Sequence, residues 1–141
     1  MTSPEGLQIS NPVGYRAGGD LMITGDVLNT TDKEKITWYI VADVYDAKGA
    51  VLVQTGMMNG RQVYLQRDYD ILEKRGVNVE QFKSKNLQNA GASIPPHGTA
   101  HFEFRIIDPP AGASGFLVKA QKVDPVNLLK DMTGYRNPKQ Q

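Results

Sequence analysis

The sequence predicts a mainly β protein: an antiparallel β-sandwich of about seven strands, with a short two-helix insertion and a short C-terminal helix. Three observations carry this expectation. Leu21 to Asn29 and Ile36 to Tyr45 alternate apolar with polar or amphipathic residues, the period of strands with one buried face, because successive side chains leave a strand on opposite sides. Turn-forming residues bound these runs, Thr30-Thr31-Asp32-Lys33-Glu34-Lys35 between them and Asp46-Ala47-Lys48-Gly49 after them. A later run sets Phe102, Phe104 and Ile106 against His101, Glu103 and Arg105, a strand with an aromatic inner face.

In chain order, Leu7 to Ser10 and Pro12 to Tyr15 read as a short edge strand, where proline is tolerated, and Gly18-Gly19 ends it. Residues 1–19 form this edge strand and loop, 20–123 the sandwich, and 124–141 a short helix and tail. In the first central strand Leu21, Ile23 and Val27 share a face opposite Thr24 and Asp26. In the next, Ile36, Trp38, Ile40, Ala42 and Val44 share one, with Trp38 expected as a core anchor rather than a ligand-stacking ring. Asp46 can bond the local backbone of its turn and Gly49 can accept a positive φ, so Ala50 to Gln54 returns as a hairpin strand.

Residues 57–92 break the β pattern. Asp68 to Arg75 predicts a helix stopped at Gly76, and Asn78 can cap a second one through Gln88, with Val79, Phe82 and Leu87 as a partial apolar stripe. A sandwich needs only a tight turn here, so 57–92 reads as a separable functional insertion. After it, Ser93-Ile94-Pro95-Pro96-His97-Gly98-Thr99 is a stiffened turn, Asp108-Pro109-Pro110-Ala111-Gly112-Ala113 another, and Phe116, Val118 and Ala120 mark the last strand. Asp124-Pro125 is an N-cap followed by proline in the first helical position, opening a helix through Leu128-Leu129.

Composition narrows the function. The chain's 141 residues suit one domain. Zero cysteines exclude a disulfide framework and thiolate metal sites. Sixteen basic against fifteen acidic residues leave a net charge of +1, which argues against a nucleic-acid surface, since phosphate binding needs concentrated positive charge. Lys119, Lys122, Lys130, Arg136 and Lys139 face only Asp124 and Asp131 at the C-terminal end, the composition of a solvated tail. No apolar run approaches the about 20 residues that span a bilayer. Met1-Thr2-Ser3-Pro4-Glu5-Gly6 lacks the basic start and apolar stretch of a signal peptide, so the expectation is either a cytoplasmic protein or a fragment that starts after an anchor.

Gly25-Asp26-Val27-Leu28-Asn29-Thr30-Thr31-Asp32, the Tyr45-Asp46-Ala47-Lys48-Gly49 turn and Ile94-Pro95-Pro96-His97-Gly98 with Phe102-Glu103-Phe104 together resemble the prokaryotic FxLYD domains and a related group of uncharacterised bacterial domains, over residues 20–120. The pattern departs at the eponymous motif, where Ala42 and Val44 precede Tyr45-Asp46. The resemblance implies an immunoglobulin-like sandwich of extracytoplasmic cell-envelope proteins and brings no catalytic residues with it.

Candidate sites follow from residue chemistry. His97 and His101 are four apart, a ligand spacing on a helix, but across a turn into a strand four residues span about 13 Å, so no metal and no cofactor is expected. Met57 and Met58 suit gap-filling core better than soft copper ligation. Asp68 and Asp70 diverge on a helix and suit its positive end better than acid-base chemistry. Neither a nucleophile Gly-x-Ser-x-Gly motif nor a phosphate-cradling Gly-x-Gly-x-x-Gly is present. Tyr64, Arg67, Tyr69, Arg75 and Phe82 gather aromatic and basic groups in the insertion, the residue types of interface hot spots. They predict a non-enzymatic protein-interaction module that binds a partner through the insertion or an exposed sheet edge. The alternative is a small-molecule or metal-binding sandwich using His97 and His101.

Overall fold

A computed structural model of the chain describes residues 6–88, 91 and 93–121. In order the elements are β1 (Leu7–Ala17), β2 (Asp20–Asn29), β3 (Tyr39–Tyr45), β4 (Val51–Met58), β5 (Arg61–Val63), α1 (Gln66–Lys74), α2 (Val79–Gln88), β6 (Thr99–Ile106) and β7 (Gly115–Lys119). The strands form two antiparallel sheets, β1-β2-β6 and β5-β4-β3-β7, with one core between them: the β-sandwich that the alternation predicts. The chain crosses between layers after β2, β5 and β6.

Alternation decides which side chains fill that core. Ile23 and Val27 of β2 and Phe102, Phe104 and Ile106 of β6 meet Ile40, Ala42 and Val44 of β3, Val53 and Met57 of β4 and Val118 of β7. The rings of Phe102 and Phe104 pack edge to face, 5.8 Å apart, a favoured arrangement of their quadrupoles. Gly25 is small for a reason of space, since a Cβ there would come within 2.6 Å of the Phe102 ring. Buried Asn29 knots the turn after β2 to the segment before β6: its Nδ2 donates to the carbonyls of Lys33, Ile94 and Pro95, and its Oδ1 accepts from Thr31. Asp46 Oδ1 accepts the N–H groups of Lys48 and Ala50 and so closes the β3–β4 turn.

Several expected boundaries move. β1 remains an edge strand but runs on to Ala17, with a register shift between Ser10 and Val13 where Asn11 and Pro12 bulge out. Ile36 is not on the core face; it is 73% exposed. The physical reason is Asn59, whose Oδ1 accepts the Trp38 N–H and whose Nδ2 donates to the Ile36 carbonyl, holding residues 36–38 out of the ladder until β3 begins at Tyr39. The insertion also starts later than 57. β4 continues through buried Met57 to Met58, and the Asn59-Gly60 turn, with φ of 52° and 85°, returns the chain as β5. Such a dipeptide forms a two-residue hairpin because both residues tolerate positive φ, which matches the twist of the flanking strands. The helix expected over 124–129 and the tail lie outside the described residues.

Asn59 therefore does three things at once, and Asn59→Ala should destabilise the domain by about 1–3 kcal/mol, the range for losing a part-buried hydrogen bond and straining a positive φ. Asn59→Gly keeps the φ and loses only the hydrogen bonds, so urea unfolding of the pair separates the two contributions. Equal stability of wild type and Asn59→Ala would show that the Trp38 N–H and Ile36 carbonyl are satisfied without it.

Candidate functional site

The insertion is built by local signals and pinned by distant ones. Asp68 reaches back to accept the Leu65 N–H at the start of α1, and the chain turns out of that helix at Gly76. Asn78 Oδ1 accepts the Gln81 N–H and caps α2, as its position predicts. α1 buries Leu72 completely and carries the ties to the sandwich. α2 buries none of its residues fully.

Arg67 is not a surface residue. It is buried, with Nη1 donating to the Ile107 carbonyl and Nη2 to that of Asp108, both at 2.9 Å, and Nη1 also 3.1 Å from Asp68 Oδ1. A guanidinium offers donors in a fixed fork, and this one clasps the chain just past β6. Arg75 is more exposed but engaged, 3.0 Å from the buried carboxylate of Asp20. Asp20 also accepts from Arg105 Nε at 2.9 Å and from the Asp108 N–H at 3.0 Å. Tyr64, Tyr69 and Phe82 pack on one another, Tyr64 and Phe82 edge to face at 4.9 Å, and Lys83 Nζ lies 4.6 Å from the centre of the Tyr69 ring. Of the five residues predicted as a partner patch, the three aromatics join α1, α2 and the end of β5, whereas the two arginines fasten the insertion to the sandwich.

That fastening leaves a cleft of about 370 Å³ between the insertion and the outer face of the three-stranded sheet. Met22, His101, Glu103 and Arg105 line it from β2 and β6; Gly60, Gln62, Tyr64 and Asn86 line it from the insertion side. Gln62 joins the two walls. Its Oε1 accepts the Arg105 N–H at 2.8 Å and its Nε2 donates to the Arg105 carbonyl at 2.9 Å and to Thr55 Oγ1 at 3.2 Å. Asn86 Nδ2 donates to the Gln62 carbonyl, which holds α2 against β5. Burial pushes the Tyr64 phenol up to about 12, against the lowering effect of the Arg105 charge, so the ring presents a neutral hydroxyl.

Sequence reasoning missed Gln62, Asn86, Glu103 and Arg105 as site residues. The alternation of His101, Glu103 and Arg105 was visible, but the wall facing them comes from far along the chain, Gln62 lying 43 positions from Arg105.

The two histidines do not converge. His97 sits in the turn before β6 with Nε2 2.7 Å from Asp32, and His101 lies on β6 with Nδ1 3.3 Å from Asp26. Among the described residues no group of three or more His, Cys, Asp or Glu side chains is placed to hold a metal ion. Asp68 and Asp70 are both buried; Asp68 takes the Leu65 N–H and Arg67, and Asp70 accepts from Gln66. Met57 is core.

Asp20 gives a pH prediction. Burial raises its pKa, but the Asp108 N–H and the guanidinium groups of Arg105 and Arg75 outweigh this and hold it below the usual carboxylate range. A carboxyl whose folded pKa is depressed adds stability above its unfolded pKa of about 3.9 and loses it as pH falls through the folded value. The stability gap between wild type and Asp20→Asn should be constant at neutral pH and shrink only below about pH 4. A gap that persists undiminished to pH 2 would show that the carboxylate charge is not what binds the arginines.

No protein-family model matches the chain, and no curated protein matches it. Two solved structures are similar to it: a DUF1425 family member from Shewanella sp. pv-4 and a hypothetical protein from Peptoclostridium difficile 630. The first is 11% identical with a TM-score of 0.47, covering 88% of this chain and 95% of its own. The second is 15% identical with a TM-score of 0.44, covering 84% of this chain and 82% of its own.

Proposed function

We propose that this chain is a non-enzymatic binding module of the prokaryotic cell envelope, and that the cleft between the insertion and the three-stranded sheet is where it holds a protein partner. One observation carries the reading. Arg67, Arg75 and Gln62 spend their polar groups on fixing the insertion at one end of the sandwich, yet the fixed insertion stands off the sheet and leaves polar side chains facing one another. A segment whose only role was to cover the sheet would be expected to close that gap.

The non-catalytic part of the reading rests on how the titratable side chains are used. Asp20, Asp68 and Asp70 serve structural bonds, and each histidine is paired with a different carboxylate. General acid-base chemistry needs such groups converging on one reacting atom. The envelope location rests on the resemblance of Gly25 to Asp32, Tyr45 to Gly49 and Ile94 to Gly98 to FxLYD domains, residues that here serve turn and core roles. The alternative built on His97 is less favoured, because His101 lines the cleft and His97 does not.

The test is capture of partners from a native envelope extract by cross-linking to the wild-type chain, to Glu103→Arg in the cleft and to Lys48→Glu on the exposed β3–β4 turn. A partner held by wild type and Lys48→Glu but lost by Glu103→Arg supports the cleft. Retention by a folded Glu103→Arg chain would refute it.

A further inference from the structure

Resting on the cleft being the binding site, we infer that its ligand is an extended polypeptide segment of the partner, added as a further strand to the free edge of β6 and carrying a lysine or arginine opposite Glu103. Among the described residues β6 pairs with one strand, β2. On its other side the Gln62 side-chain amide bonds both the N–H and the C=O of Arg105. An amide donating and accepting in this way stands where the N–H and C=O of one residue of a neighbouring antiparallel strand would stand. In an antiparallel strand alternate residues turn their main-chain groups to the same side. Glu103 and His101 therefore turn theirs to the side that Arg105 does, and among the described residues no hydrogen bond reaches them there.

The β1 and β5 edges are defended in ways this stretch is not. β1 carries the Asn11-Pro12 bulge, β5 is three residues long and leads straight into the turn before α1, and the end of β6 is covered by Gln62 and Arg67. Bulges and short strands are how proteins blunt an edge that would otherwise recruit another chain. The part of β6 left open, at His101 and Glu103, is the part that runs along the cleft. Added-strand recognition takes affinity from main-chain hydrogen bonds and specificity from pockets for alternate side chains.

Charge selects the side chain. Arg105 shares Asp20 with Arg75, and His101 is paired with Asp26. Glu103, between them on the same face, has no ion pair among the described residues and faces Thr24 across the ladder. A basic residue of the incoming strand supplies its missing partner.

The experiment titrates the 15N-labelled chain with the peptide acetyl-Thr-Val-Lys-Val-Thr-amide. The amides of His101 and Glu103 should shift saturably and their exchange with solvent should slow. N-methylation of the peptide on the hydrogen-bonding side should weaken binding by about tenfold or more, the effect of losing a main-chain hydrogen bond with its geometry. Replacing the peptide lysine by glutamate should weaken it similarly, and Glu103→Gln should abolish the preference for lysine. No saturable shift at millimolar peptide, or equal binding by the N-methylated form, overturns the added strand. Those outcomes leave the cleft standing if Glu103→Arg still loses the envelope partner; if that variant keeps it, the reading of the cleft itself falls.

Discussion

Replacing residues 57–92 by a short Gly-Ser linker is expected to abolish cooperative folding. The naive expectation is the reverse, because a flexible surface loop adds closure entropy only slowly with length. The segment is not a loop, however. It begins with Met57, which belongs to the core, and continues through β5, which pairs with β4. Losing a fully buried methionine alone costs about 2–5 kcal/mol. Removing Gln62 and Arg67 strips partners from the backbone of Arg105, Ile107 and Asp108, and removing Arg75 takes one of two cations from a buried carboxylate. Leu72, fully buried, goes with them. Against a total stability of about 5–15 kcal/mol for a domain, these losses together leave no folded state. Differential scanning calorimetry and near-ultraviolet circular dichroism read the result. A sharp melting transition with native near-ultraviolet signal in the replaced chain would mean that the insertion is an appendage after all.

What could be read from the sequence and what could not divide along a physical line. The strands around Ile23 and Val27, Ile40 to Val44, and Phe102 to Ile106 were legible because burial of one face imposes period two on the side chains themselves. The caps of both helices were partly legible, since Asn78 acts on its own N-terminus and Gly76 marks the stop. β5 was overlooked because Arg61-Gln62-Val63 is short and polar, although Asn59-Gly60 is a strong local hairpin signal that could have found it. Ile36 fits the alternation and is still exposed, because the strand it would extend is stopped by a side chain 23 positions away.

The site was hardest, and Arg67 shows why. Composition gives an arginine among aromatics, which is equally the signature of a contact surface and of a structural clasp. The outcome was decided by the carbonyls of Ile107 and Asp108, at separations of 40 and 41 residues. The cleft is likewise a property of pairings: Met22 beside Arg105 in the ladder, and Gln62 beside Arg105 across the gap. Residue types along β6 announced a polar outer face, but only the sheet order reveals that, among the described residues, part of this strand's edge is unpaired.

Trp38→Ala should destabilise the domain by roughly 3–5 kcal/mol, the range for truncating a large buried aromatic. Trp38 is 2% exposed and belongs to the main core cluster. Its main chain is held on both sides by Asn59, which accepts the Trp38 N–H and donates its own N–H to the Trp38 carbonyl. Alanine keeps those two bonds, so the measured loss is that of the indole and its packing, not of the turn that positions it. For a domain of this size the change corresponds to a fall in Tm of roughly 10 °C or more. Urea unfolding should show a lower midpoint with an unchanged slope, since the variant exposes nearly the same surface on unfolding. The native protein gives an independent check, because the fluorescence of this single tryptophan should resist quenching by iodide. Ready quenching in the native state, or a loss below about 1 kcal/mol, the scale of a surface substitution, would place Trp38 outside the core and remove the anchor from which β3 starts.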